Sequence, residues 1–232
     1  MRNRILSIIL ALCLSFTSVS IAQADLVESI GALYNRTYDN SLSFTCTVSA
    51  LEQKKADLIV LTATHCINET QRYYHVTFDG LQFYVAELYK IPRKKWDDPD
   101  VDLALLKIKN LTVKPLGIGQ SETVPLGTDI VTIGFPLGIS KILYKGYIGG
   151  KVDNVSTGLH GYLILQIFGA PGSSGTAVLD AKDNSVMGVL VAASGGSMGL
   201  PVIYATPIEY LKYLVTPEDK RRLVKDHFVG VE

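Results

Sequence analysis

An all-β chain, folded as barrels or as a sandwich, is what this 232-residue sequence predicts. Short runs rich in Val, Ile, Leu and Thr recur from about residue 42 to 205, and Gly, Pro or Asp punctuates the intervals between them. Helical start signals are confined to the chain ends, which excludes strands alternating with helices around a parallel sheet.

The first 24 residues stand apart. Arg2 and Arg4 precede an apolar run from Ile5 to Leu14, and Ala22-Gln23-Ala24 offers a small-x-small cleavage site. That is the pattern of a secretory signal peptide. Ser15, Thr17, Ser18 and Ser20 dilute the run before it reaches the roughly 20 apolar residues of a spanning helix. The expectation is cleavage near Asp25 and a secreted or periplasmic chain with no stable membrane insertion. The full sequence carries equal numbers of basic and acidic residues. Cleavage removes Arg2, Arg4 and no acid, so the mature charge is −2. Such a balance does not suit a nucleic-acid partner, whose phosphates need clustered Lys and Arg. The basic run Arg93-Lys94-Lys95 is answered by Asp97, Asp98 and Asp100, as in a solvated loop.

Strands follow in order. Ser43–Ala50 and Asp57–Ala63 come first, then Arg72–Phe78 and Leu81–Leu88, joined by Asp79-Gly80, a strong hairpin signal. Val101–Ile108 alternates less and is more apolar, as suits a strand buried on both faces. Asp129–Gly134, Gly146–Asp153, Tyr162–Ile167, Ala177–Asp180 and Val186–Ala192 complete the series. A short helix is expected near Leu26–Tyr34. Thr206-Pro207-Ile208-Glu209 and Thr216-Pro217-Glu218-Asp219 both read as helix starts, and Gln120–Pro125 reads as a connection between two halves.

Cys46 and Cys66 are the two cysteines that remain after processing. In an exported chain they make one disulfide, the alternative being two buried free thiols. No Walker loop, dinucleotide fingerprint or metal-spaced Cys/His cluster is present, so neither cofactor nor metal is expected.

Three side chains carry the chemistry. His65 follows a strand-like run and precedes Cys66, which would clamp its loop. His75, His160 and His227 lack comparable support. Asp102 opens the apolar run Leu103–Ile108, where an unpaired carboxylate costs several kcal/mol. An imidazole N–H would offset that cost and select the tautomer whose other nitrogen accepts a proton. Asp97, Asp98 and Asp100 are rivals in more polar surroundings. Ser174 sits in Gly172-Ser173-Ser174-Gly175, where glycine permits close backbone approach to a substrate. The amides of Gly172 and Ser174 are the candidate oxyanion donors. Ser173 is a rival nucleophile. Thr176 and the acid's position before the serine exclude the Gly-x-Ser-x-Gly elbow. The order His, Asp, Ser suits a hydroxyl activated by an oriented imidazole.

These residues resemble a known family. Thr62-Ala63-Thr64-His65-Cys66, Asp102-Leu103-Ala104-Leu105-Leu106 and Gly172-Ser173-Ser174-Gly175 look like the three signatures of the chymotrypsin-like (trypsin-like) serine proteases. Phe78-Asp79-Gly80, Pro99–Ile108, Ile133–Gly138, Pro171–Gly175 and Tyr204–Pro207 are similar to segments of the high-temperature-requirement (Deg) branch. The resemblance covers roughly residues 40–215.

It implies two six-stranded antiparallel barrels with the active site in the cleft between them. Residues 25–122, with the short helix, would form the first, 123–205 the second, and 206–232 a helical segment. It implies a serine endopeptidase with peptide or protein substrates, working through an acyl-enzyme on Ser174. By the same resemblance Phe168 forms the base of the specificity pocket, and Leu190, Val191 and Ala192 form a wall. No aspartate stands there, so a small or medium apolar residue before the cut bond is expected.

Departures qualify the match. Ser173 replaces the aspartate with which digestive members pair a new N-terminus, and no Ile-Val-Gly-Gly-like start is present. Activation by that ion pair is therefore not expected. Thr176 stands where a second glycine is common, which would narrow the cleft. The Cys46–Cys66 pairing is closer to the digestive enzymes, and residues up to 232 leave no room for the Deg peptide-binding domain. Two rival readings remain open: a protease-like binding protein without activity, and an esterase or amidase on the same triad. No residue pattern speaks to an oligomeric state.

Overall fold

The computed structural model describes residues 26–68, 70–93, 99–152, 159, 161–195 and 201–220. The expected signal peptide, the rivals Asp97 and Asp98, and His160 and His227 lie outside them.

Six strands build the first barrel: β1 Ile30–Arg36, β2 Leu42–Lys54, β3 Asp57–Thr62, β4 Tyr73–Thr77, β5 Tyr84–Pro92 and β6 Ala104–Ile108. They run in the order β5-β4-β1-β2-β3-β6, and β5 pairs with β6 to close the ring. The second barrel is β7 Asp129–Gly134, β8 Ile142–Lys151, β9 Leu163–Gln166, β10 Ala177–Asp180, β11 Val186–Gly195 and β12 Pro201–Pro207. It closes in the order β10-β11-β12-β9-β8-β7. Closure removes the free edges that a sheet of this size would otherwise expose.

The β-branched runs that predict strands are the ones that fill the interiors. Leu58, Ile59, Val60 and Leu61 of β3 are all at most 1% exposed, because this strand is covered on both faces. In β6, Ala104, Leu105, Leu106 and Ile108 are buried and Lys107 alone reaches outward. Each fully buried Leu or Ile contributes roughly 1.5–3 kcal/mol relative to exposure. The Asp79-Gly80 signal marks a real hairpin between β4 and β5. Gly80 takes φ +77°, and Asp79 Oδ1 accepts from the amides of Leu81 and Gln82.

Two expectations at the ends are corrected. The helix near Leu26–Tyr34 reduces to residues 26–28, and the chain enters β1 at Ile30. Leu26, Ile30 and Leu33 fall at helical spacing, yet all of Ile30–Leu33 is buried, as a strand enclosed on both sides requires. At the other end Thr206-Pro207 closes β12, and Ile208–Tyr213 is a 3-10 helix. Glu209 does not complete a capping box. It turns to the connection between the barrels, where it accepts from the amide and hydroxyl of Ser121 at 2.5 Å each. Lys151 Nζ donates to the carbonyls of Ser121 and Glu122, each over 2.6 Å, and locks the same connection. The strand β13, Leu214–Val215, then adds to β5 of the first barrel. The second start signal is used: Thr216 Oγ1 accepts from the Asp219 amide at the head of a helix over residues 217–220. Among the described residues no helix is long and apolar enough to cross a membrane.

Candidate active site

His65 sits in a 3-10 turn, Thr64–Cys66, at the mouth of β3. Thr64 Oγ1 donates to the Leu103 carbonyl over 2.6 Å, which draws that turn onto the start of the Asp102–Ile108 run. The Cys46–Cys66 disulfide, with Cα atoms 6.1 Å apart, ties the turn to β2. Closing a loop of 20 residues stabilises the fold by about 3 kcal/mol in the chain-entropy view. A ring nitrogen of His65 and both sulfurs lie within 4.8 Å of one another, so the disulfide flanks the imidazole. The sulfurs are bonded to each other and present no thiolate to a metal.

Asp102 reaches the same turn from the opposite side. Its Oδ1 accepts from the His65 amide at 3.0 Å, and its Oδ2 accepts from His65 Nδ1 at 2.6 Å. The ionised carboxylate only accepts, so Nδ1 carries the proton and Nε2 is left as a base. This hydrogen bond raises the pKa of His65 above its usual value, partial burial opposes the rise, and the Asp102 charge adds to it. Asp102 is 24% exposed in its side chain and His65 45%, so the pair is half-sheltered at the barrel boundary.

The serine loop approaches from the second barrel. Gly172 and Gly175 take φ +90° and +84°, and each is pressed against the first barrel or its neighbours. A Cβ on Gly175 would fall 2.1 Å from the Thr47 carbonyl, and one on Gly172 would fall 2.6 Å from the Phe135 carbonyl. Ser173 is 5% exposed, and its hydroxyl accepts from the Ala170 amide, so it is turned inward. Ser174 is half-exposed. The amides of Ser173, Gly175 and Thr176 donate to Ala170, Leu190 and Ser173 carbonyls. The amides of Gly172 and Ser174 donate to no described acceptor. Two unspent N–H donors therefore alternate with three spent ones. Among the described residues the Ser174 hydroxyl makes no hydrogen bond with His65.

Thr176, expected to narrow the cleft, is instead 2% exposed, and its hydroxyl lies against Gly134. Leu190 and Val191 are buried at 4% and 5%, and Val191 is the extra residue where the β11–β12 register shifts between Leu190 and Ala192. Phe168, expected at the pocket base, is 55% exposed, with its ring 5.1 Å from that of Tyr144.

Two residues of this region escape sequence reasoning. Thr47, fully buried in β2, donates through its amide to Ser174 O at 2.9 Å and through its hydroxyl to Gly172 O at 2.9 Å. Tyr162, 1% exposed, donates to the Asp100 carbonyl at 2.9 Å from the second barrel, and burial pushes its hydroxyl pKa up. Thr47 is one of many strand threonines and Tyr162 one of 12 tyrosines, and no spacing marks either.

The chain is similar to known proteins. Residues 45–189 match the trypsin-like peptidase domain. A probable periplasmic serine endoprotease, DegP-like, of Chlamydia pneumoniae is 31% identical over 149 residues, covering 62% of this chain and 29% of that protein. Its counterpart in Chlamydia muridarum is 30% identical over 180 residues, covering 75% and 34%. The chain thus spans about a third of the length of the curated relatives it matches. The solved HtrA-type protease AlgW with a decapeptide superposes at a TM-score of 0.65 and 19% identity, over 87% of this chain and 66% of that one, which supports the fold. With the match running from β2 to β11 and taking in all three segments that meet at the barrel boundary, the chain belongs to the family of trypsin-like peptidase domains.

Proposed function

We propose that this chain is an exported serine endopeptidase that cuts peptide bonds through an acyl-enzyme on Ser174. The observation that carries the reading is a pair of amides, at Gly172 and at Ser174 itself, that meet no described acceptor in the loop that bears a half-exposed hydroxyl. Backbone donors left unpaired beside a nucleophile are what a developing oxyanion requires, typically worth about 3–4 kcal/mol per donor. The roles follow. Ser174 Oγ attacks the substrate carbonyl, and His65 Nε2 takes its proton. Asp102 accepts from His65 Nδ1 throughout and stabilises the imidazolium. The tetrahedral oxyanion rests on the two amides. His65 then protonates the leaving amine, and water repeats the sequence to free the acid.

The exposed Phe168 ring, packed on half-buried Tyr144, offers apolar surface to the residue before the cut, whereas Leu190 and Val191 lie buried behind the serine loop. A small or medium apolar residue fits that surface. A disulfide beside the imidazole suits an oxidising compartment, and the relatives named above are called periplasmic. Both agree with export and cleavage of the first 24 residues.

A second reading, a protease-like binding protein, is favoured by the missing hydrogen bond between Ser174 and His65. Such bonds are often long in ligand-free sites and shorten with substrate. A fluorophosphonate probe on the mature chain separates the readings, because only an activated serine reacts. Labelling and casein cleavage by the wild type, both lost in Ser174→Ala, are the expected results. Full cleavage by Ser174→Ala would overturn the proposal, and ester turnover without peptide cleavage would assign an esterase.

A further inference from the structure

Between the β1–β2 hairpin and the segment that follows the His65 turn lies a cleft of about 600 Å³. Asn35, Arg36 and Tyr38 line one wall, and Asn68, Arg72 and Tyr73 line the other. Its walls are held in place. Asn35 Nδ2 donates to the Cys66 carbonyl at 3.3 Å, which joins the cleft directly to the residue after His65. Gln71 Nε2 donates to the Arg36 carbonyl at 2.7 Å and spans the two walls.

The described residues that line the cleft include two guanidinium groups and no carboxylate. Arg36 and Arg72 are both exposed, and among the described residues no carboxylate pairs with either. Arg36 Nη2 lies 3.4 Å from His75 Nε2, and the Arg72 guanidinium lies 5.4 Å from the Tyr73 ring centre, so both heads are supported without being neutralised. The hairpin's own acid, Asp39, has its carboxylate engaged by Thr37 and Ser41. Two exposed aromatic rings, Tyr38 and Tyr73, stand beside the guanidinia.

We propose that this cleft is a subsite for acidic side chains on the C-terminal side of the cut bond. The inference rests on the endopeptidase reading, which also gives the direction. The acyl half of the substrate lies toward Gly172, Ser174 and Leu190 in the second barrel. The leaving amine takes its proton from His65, so the chain beyond it runs over Cys66 onto the first barrel and into this cleft. Asp or Glu two or three residues past the cut would meet a fork of fixed guanidinium donors.

The test uses a peptide whose cut site is first mapped by mass spectrometry, with Glu or Gln at the second and third residues after it. The expected wild-type preference in kcat/KM for the Glu peptide is about fivefold to tenfold, as for two exposed ion pairs. It should shrink at high salt. R36A/R72A should lose the preference and retain cleavage of the Gln peptide. A second arm measures binding of both peptides to Ser174→Ala by fluorescence anisotropy, with and without R36A/R72A. It expects the same preference without turnover. Equal handling of the two peptides by wild type, or a preference that survives both substitutions, overturns the subsite. Absence of all cleavage alongside retained selective binding would instead overturn the endopeptidase reading and leave the subsite standing.

Discussion

Thr47 Oγ1 lies 2.9 Å from the Gly172 carbonyl, 125 residues away along the chain. The same hydroxyl accepts from the Phe135 amide at 3.0 Å, and the Thr47 carbonyl accepts from Thr62 Oγ1 at 2.9 Å. Thr47 follows Cys46, whose disulfide partner follows His65. One residue of the first barrel therefore fixes the serine loop and, through its neighbour, the histidine turn.

Replacing Thr47 with Val keeps the shape and β-propensity but removes the hydroxyl. The partly buried Gly172 carbonyl and Phe135 amide would lose their partner, at about 1–3 kcal/mol. The Gly172–Ser173 peptide would lose its tie to the first barrel, while the Thr47 amide keeps its hold on the Ser174 carbonyl. A kcat about tenfold lower with KM little changed is expected from steady-state kinetics. Thermal melts should fall by roughly 2–12 °C at the usual slope for a chain of this size. An unchanged kcat would show that the loop holds its shape without Thr47.

The acid limb of activity should lie above the ordinary histidine value of about 6.5, because Asp102 raises the pKa of His65. Activity needs the neutral ring, so it rises with pH through that raised value. The contribution of the charged pair to stability runs the other way. It is fully present below about pH 6.5 and is lost as pH climbs through the folded value. Asp102→Asn should move the limb to lower pH and cut kcat by about 10⁴-fold, since the ring loses its orienting acceptor. A kcat/KM profile from pH 5 to 9 checks both shifts.

Gly175 and Gly80 offer a paired test of backbone against packing. Both hold positive φ, but a Cβ on Gly80 meets nothing within 4 Å. At Gly175 it would strike the Thr47 carbonyl and the Thr62 hydroxyl across the barrel boundary. Gly80→Ala should cost about 1 kcal/mol and spare activity. Gly175→Ala should abolish activity and destabilise the fold by several kcal/mol, as seen in melts and peptide assays. Equal behaviour of the two variants would mean that strain, not contact between barrels, governs the site.

Most strands were legible because β-branched runs between turn residues announce themselves locally, Ala177–Asp180 to the residue. Ile30–Arg36 was not, since apolar residues at positions 26, 30 and 33 satisfy a helix as well as a doubly buried strand. Glu209 departs from its capping-box pattern for a related reason: that spacing is local, whereas its partner Ser121 is 88 residues distant.

The candidate site divides along the same line. His65, Asp102 and the Gly172–Gly175 segment carry local residue patterns tied to their chemistry, so order and neighbours sufficed to propose them. The inward turn of Ser173, the burial of Thr176 and the clamp at Thr47 belong to long-range contacts between two closed barrels. Hydrogen bonds that join residues more than 100 positions apart leave no periodicity in a chain. Only packing of one barrel against the other selects which threonine meets which carbonyl.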